Sequence, residues 1–223
     1  MEKTEKADGT MNESRTGDTT DGPSRATYQD VLDAPRYKIA EIVDGTLYTQ
    51  PRPAVPNTVA ASRLRARIAP PFDFGDGGPG GWWILHEPEL HLGENIVVPD
   101  IAGWRRGRMP VPPAEAYFTL APDWVCEVLS PSTRRLDFGG KLAIYACDGV
   151  RRLWLVDPGA RSLEAFELRG TKWALTGKLF EDAAVSLPPF EAISFNLGDL
   201  WLPHAAHRQP PGTPNVAAPS GVV

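Results

Sequence analysis

The chain has 223 residues, of which 42% are hydrophobic and 23% charged, with a net charge of −5. That is an ordinary composition for a globular protein of one domain plus tails. It argues against a membrane-spanning protein, since no apolar run is long enough to cross a bilayer. It argues against a disulfide scaffold, since there are only two cysteines, and against a passive nucleic-acid coat, which needs strong positive charge.

Residues 1–33 hold eight acids and four bases, −4 of the −5, so the remainder is nearly neutral at −1. Within that remainder arginines cluster at Arg63/Arg65/Arg67, Arg105/Arg106/Arg108, Arg134/Arg135 and Arg151/Arg152. Local arginine patches on a near-neutral domain are compatible with phosphate backbones, although each pair alone reads equally well as solvated surface.

Residues 1–25 are polar, rich in Gly, Ser and Thr, and lack apolar periodicity, so they read as a disordered acidic tail. They contain no apolar segment for export. With Cys126 and Cys147 lacking CxxC spacing, the expectation is a cytoplasmic protein with reduced, mostly buried thiols and no structural zinc site. Residues 205–223 are rich in proline and small residues and read as a second disordered tail. The folded domain is expected over 26–204.

Thr27 is placed to cap a short helix. YKIAEIV, Asp44-Gly45 and TLY then predict a hairpin, because Asp-Gly favours the positive φ angles of a tight turn. Period two puts Glu41 on one face with Tyr37, Ile39 and Val43, an odd place for a solvated acid. From Val55 to Ala69 the apolar residues Ala60, Leu64 and Ile68 follow helical spacing, and Pro70-Pro71 is expected to end that helix. Trp82 to Leu92 reads as one strand, followed by a Gly93-Glu94-Asn95 turn and the strand IVVPDIAGW. Arg105 to Pro122, with four prolines, reads as a surface excursion.

Strand 124–129, a helix from about Arg134 to Cys147, and strand Leu153 to Val156 form a βαβ unit whose two strands should be parallel. Asp157-Pro158-Gly159 turns the chain into SLEAFEL and KWALTGKLF, two antiparallel strands that extend the sheet. Phe195 to Leu202 closes the domain. The predicted fold is α/β or α+β, a mixed β-sheet flanked by helices.

HEPELH, residues 86–91, is not the H-E-x-x-H metalloprotease motif: its second histidine comes one residue late, and Pro88 would break the required helix. Both histidines read as structural or surface residues. Without G-x-S-x-G, Ser130 is poorly supported as a nucleophile, and Ser132 or Thr133 reads as a helix start. The glycine-rich loop at 75–81 matches neither phosphate-binding nor dinucleotide patterns.

Four charged residues remain. Glu127 stands inside the apolar run Trp124-Val125-Cys126-Glu127-Val128-Leu129, where an unpartnered carboxylate would be costly. Asp100 ends the preceding run, Lys141 lies on the following helix, and Glu41 lies on the first hairpin. Each also has a plain structural reading: Asp100 ends a strand, Lys141 faces solvent, Glu41 pairs with an arginine. Taken together they suit a hard divalent cation. Two close carboxylates repel unless a cation lies between them, and magnesium takes one or two carboxylates and accepts a phosphate oxygen. A lysine nearby can orient or deprotonate a water, or offset developing charge.

YKIAEIVDGTLY, VVPDIAGW, PDWVCEVLSPST and DFGGKLAIYACDGVRRLWLVDP, in that order and with the closing segment, resemble the Uma-two family of putative restriction endonucleases in the PD-(D/E)XK nuclease superfamily. The resemblance covers about Tyr28 to Leu202. It implies a restriction-endonuclease-like fold and Mg2+-dependent (or Mn2+-dependent) cleavage of nucleic acid, DNA foremost. Asp100 would be the PD acid, Glu127 the second metal-binding acid and Glu41 an auxiliary acid. The superfamily lysine two residues after the second acid is Leu129 here, and Lys141 takes its place, sharing a helix face with Tyr145. Asn57 stands where members often carry histidine. A homodimer would present two centres to two strands. Two alternatives stay open: a catalytically silent nucleic-acid- or partner-binding protein on the same fold, and four charged residues that are purely structural.

Overall fold

The computed structural model describes residues 25–130 and 137–203. The N-terminal tail up to residue 24, the tail from 204 onward, Ser132, Thr133, Arg134 and Arg135 lie outside the described residues. The elements are α1 (Tyr28–Leu32), β1 (Lys38–Val43), β2 (Thr46–Pro51), α2 (Val55–Ala69), β3 (Trp82–His86), β4 (Leu90–Leu92), β5 (Asn95–Val97) and β6 (Ile101–Arg105). They continue with β7 (Trp124–Val128), α3 (Leu142–Cys147), β8 (Arg152–Asp157), β9 (Ser162–Arg169), β10 (Lys172–Phe180), β11 (Ala184–Val185) and β12 (Phe195–Asn196).

Short-range signals act as expected. Asp30 Oδ2 accepts from Thr27 N at 2.7 Å and from Thr27 Oγ1 at 2.8 Å, fixing the start of α1. Asp44 and Gly45 adopt φ 50° and 77°, closing the β1–β2 hairpin in register Glu41↔Tyr48. β7 and β8 pair in parallel, and β8, β9 and β10 follow antiparallel.

The strands form more than the single mixed sheet the sequence predicts. A six-stranded sheet has the order β10-β9-β8-β7-β6-β3, a four-stranded antiparallel sheet runs β2-β1-β5-β4, and β11 pairs with β12. The expected strand 82–92 is two strands in different sheets. It breaks at Glu87, which has φ 45°, and at Pro88, which has no N–H for a ladder. The helix over 55–69 does not stop at Pro70-Pro71 either. It widens into a π-helical turn, Pro70–Phe74, and ends at Gly75 with φ 80°. Between β7 and β8 the described helix is a π-helical turn, Asp137–Lys141, leading into α3.

Two cores sandwich the large sheet. Ala60, Leu64 and Ile68 of α2 pack with Trp124, Cys126 and Trp154 on one face. There the rings of Trp124 and Trp154 meet edge-on at 5.5 Å, and Phe190 joins Trp124 at 4.8 Å. Each such large side chain, fully buried, stabilises by about 1.5–3 kcal/mol. Gly103 of β6 lies beneath this cluster, where a Cβ would sit 3.1 Å from Ile84 and 3.3 Å from Trp82 and Trp124. On the other face, Val125, Leu153 and Leu155 are covered by Ile144 and Tyr145 of α3. Glu127 follows Val125 by two residues, so strand alternation turns it toward α3.

Of the two thiols only Cys126 is buried; Cys147, at the end of α3, is exposed. Burial pushes the Cys126 thiol well above its ordinary range, and the charges of Asp100 and Glu127 push it the same way. It remains a neutral packing residue.

Candidate functional site

β6 and β7 are antiparallel with Ile101 opposite Cys126, so the next step of that register sets Asp100 opposite Glu127. Both lie on the face covered by α3, because Ala102 and Val125, two residues from each, belong to that face. The side chain of Asp100 is held from below: Oδ2 accepts from Val128 N at 2.7 Å. Glu127 is 2% exposed. Its Oε1 accepts from Tyr145 Oη at 2.6 Å and contacts Lys141 Nζ at 2.8 Å. Bonds this short are typical of a hydroxyl or ammonium on an ionised carboxylate.

Lys141 is 2% exposed and therefore does not face solvent. Its ammonium reaches Glu127 Oε1 at 2.8 Å, Glu41 Oε1 at 3.0 Å and Val98 O at 3.1 Å. Glu41 pairs with this lysine and not with an arginine. Its Oε1 also accepts from Val98 N at 2.8 Å, and its Oε2 from Gln50 Nε2 at 3.0 Å. Burial along β1 departs from strict alternation: Ala40, Glu41, Ile42 and Val43 are all buried, because both faces of the strand are covered.

Tyr145, four residues beyond Lys141 on the same helical face, is fully buried. Burial holds its hydroxyl well above the ordinary range, and the Glu127 charge and hydrogen bond add to this while Lys141 opposes it. The phenol stays protonated and donates to Glu127. Asn57, in the first turn of α2, donates from Nδ2 to Val128 O at 3.1 Å and Leu129 O at 2.9 Å. It ties α2 to the end of the strand that carries Glu127.

All four charged residues singled out in the sequence line one solvent-open cleft of about 310 Å3, together with Gln50, Arg52, Asn57, Glu87 and Ser130. Of the residues that complete the site, Gln50 was open to prediction. The Asp44-Gly45 turn pairs Glu41 with Tyr48, so position 50 is its diagonal neighbour on the same face. Arg52 and Glu87 carry no such local signal. HEPELH contributes no metal-ligand pair: His86 and His91 lie on strands of different sheets.

One lysine cation faces two buried glutamates, Asp100 adds a third carboxylate, and the fourth acid of the lining, Glu87, is paired with Arg52. The set is therefore anionic, hard and oxygen-rich, which fits a divalent cation such as magnesium better than a softer metal. Among the described residues no group of three or more His, Cys, Asp and Glu side chains gathers into a cage. Two carboxylates and solvent are the usual protein share of a magnesium site.

The mixed sheet with few helices defines a restriction-endonuclease-like fold. The chain belongs to the Uma2 family, described as putative restriction endonuclease, whose profile matches residues 26–198. A solved structure of a putative nuclease belonging to DUF820 from Anabaena variabilis ATCC 29413 is similar at TM-score 0.63 and 20% identity. The similarity covers 78% of this chain and 97% of that one. No curated protein matches. Family membership supports a nuclease function, and with it a nucleic-acid substrate. No helix among the described residues is long and apolar enough to cross a membrane.

Proposed function

We propose that the protein is a magnesium-dependent endonuclease that hydrolyses phosphodiester bonds of DNA, with Asp100 and Glu127 as the metal-holding acids. The observation that carries this reading is the position of these acids opposite each other at the ends of β6 and β7, in a cleft where one lysine bridges Glu127 and Glu41. A bound magnesium ion, with manganese as its substitute, would acidify water and stabilise charge on a phosphate oxygen.

The chain's own residues hold the site in shape. The Val128 amide fixes Asp100, and Tyr145 with Lys141 fixes one oxygen of Glu127. Glu41 fixes the lysine, directing its ammonium to the acid side of the cleft. Lys141 thereby supplies a positive charge that orients an attacking water and offsets charge developing on the phosphate. Gln50 and the Val98 amide restrain Glu41 in turn.

The alternative, a silent nucleic-acid-binding protein on the same fold, draws on the same lysine, since an ammonium engaged by three protein acceptors has less freedom to serve a substrate. Incubation of wild-type protein with plasmid, single-stranded DNA and RNA separates the two. Cleavage that requires magnesium or manganese and stops with EDTA is expected. Intact substrates under every metal condition would decide for the silent binder.

A further inference from the structure

One wall of the cleft is closed by an ion pair. Arg52, the residue after β2, reaches Glu87, between β3 and β4, with Nη1 2.9 Å from Oε2. Glu87 sits in left-handed backbone at φ 45°, which is costly for a residue other than glycine. Two contacts hold it there, and both lead to an acid of the site. Glu87 N donates to the carbonyl oxygen of Asp100 at 3.1 Å, and His86 Nδ1 meets the same oxygen at 3.0 Å. Strain of this kind concentrates where a side chain must be aimed. Here it aims a carboxylate at Arg52, the one arginine among the described residues that lines the cleft.

Behind the pair lies a second cavity of about 330 Å3, bounded by Arg36, Lys38 and Glu89 and backed by Val31 and Leu32. The two cavities share four lining residues, Ile39, Val98, Arg52 and Glu87, so the ion pair forms half of their common wall. Among the described residues neither Arg36 nor Lys38 is paired with a carboxylate, and Arg36 is exposed. Beyond the latch, therefore, lies a pocket with two cations in no direct ion pair and one acid, Glu89, which is engaged with His91 at 2.8 Å. The latch itself is weak: Arg52 is 56% exposed, and an ion pair so open to solvent stabilises little. Its single short contact also leaves the planar guanidinium able to form the two-pronged contact it makes with phosphate.

We propose that the second cavity is a subsite for the nucleotides flanking the cleaved bond, and that Arg52 exchanges Glu87 for a phosphate of that strand. This rests on the nuclease reading of the cleft. With the latch open, the two cavities become one groove from Asp100 and Glu127 past Arg52 to Arg36 and Lys38. Glu87 then acts as a built-in competitor, occupying the arginine until a polyanion arrives, and the backbone contact of Glu87 to Asp100 reports that exchange to the metal acids. Specificity for a continued strand over an isolated phosphodiester follows from this geometry.

The test is binding of short fluorescent single-stranded oligonucleotides to the full chain in EDTA, where cleavage cannot interfere, read by anisotropy across a salt series. Arg52→Ala is expected to weaken binding by about tenfold and to lower the salt slope by about one, as loss of one phosphate contact requires. Glu87→Gln is expected to tighten binding several-fold by removing the competitor, and Arg36→Ala to weaken it. Arg151→Ala, an exposed arginine outside both cavities, serves as the control and should leave affinity within about twofold. Thermal melting confirms that each variant is folded, with Arg52→Gln replacing alanine if needed. Matched DNA and RNA strands separate the sugars; the proposal concerns the shared phosphate and holds for either. Wild type that binds no strand, Arg52→Ala that binds like wild type, or Arg151→Ala that loses as much as Arg52→Ala would overturn it. A protein that shows the expected affinities yet cleaves nothing with magnesium overturns the nuclease reading alone and leaves the groove standing.

Discussion

Lys141→Ala is expected to cost about 3–5 kcal/mol of folding stability, the usual penalty for removing one partner of a buried ion pair. The reason is specific to the arrangement. Glu41 and Glu127 are 1% and 2% exposed, and each has an oxygen within 3.0 Å of the Lys141 ammonium. Without it, two buried carboxylates lose the ammonium that bridges them, and Val98 O loses its bond from Lys141. Urea denaturation of wild type and variant measures the loss. Adding Glu41→Gln to Lys141→Ala should recover part of it, by about 1–3 kcal/mol of coupling, because the neutral amide needs no cation. A loss below about 1 kcal/mol in the single variant would show that Lys141 behaves as an exposed surface lysine, against its placement in the core of the site.

Glu127→Ala is expected to lower magnesium-dependent cleavage by about 10^2–10^3-fold or more, the scale of losing charge stabilisation at a phosphate. Stability should fall as well, because Tyr145 Oη loses its acceptor in a dry setting at a cost of about 1–3 kcal/mol. Glu127→Gln separates the two effects. The amide oxygen can still accept from Tyr145 and Lys141, so the fold should be held while the ionised metal acid is gone. Near-complete loss of cleavage with most stability retained is therefore expected for the glutamine variant. Equal cleavage by Glu127→Gln and wild type would place the metal acid elsewhere.

Much of the site was open to reading because its odd residues stood out locally. Glu127 interrupts an apolar strand and Glu41 shares a strand face with Ile39 and Val43; both anomalies resolve into the same lysine. The Asp44-Gly45 turn and the strand–helix–strand order are also local features, and they located β1, β2, β7 and β8. What escaped depends on contacts distant in sequence. The break at Glu87 requires a backbone conformation unfavourable to glutamate, held by Asp100, which no local pattern announces. Pro70-Pro71 looked like a helix end, yet a widened turn carries the chain on to Gly75. Asn57 reaches carbonyls 71 and 72 residues away, and Arg52 reaches an acid 35 residues away. The separation of the four-stranded from the six-stranded sheet follows from the same break, since β3 and β4 part at Glu87.

Asp100 and Glu127 are proposed to hold a divalent cation in the folded protein. Thermal melting of wild type and Asp100→Asn across a magnesium titration tests it most directly. A ligand that binds only the folded state stabilises by about 2.7 kcal/mol at a hundredfold excess over its Kd. For a chain of this size that is roughly 5–11 °C of melting temperature, at about 2–4 °C per kcal/mol. Wild type is predicted to show this rise, growing with the logarithm of the magnesium concentration above the Kd, and Asp100→Asn to show little or none at the same concentrations. A wild-type melting temperature that does not move with magnesium or manganese, or an equal rise in both proteins, would rule out a cation held by these two acids.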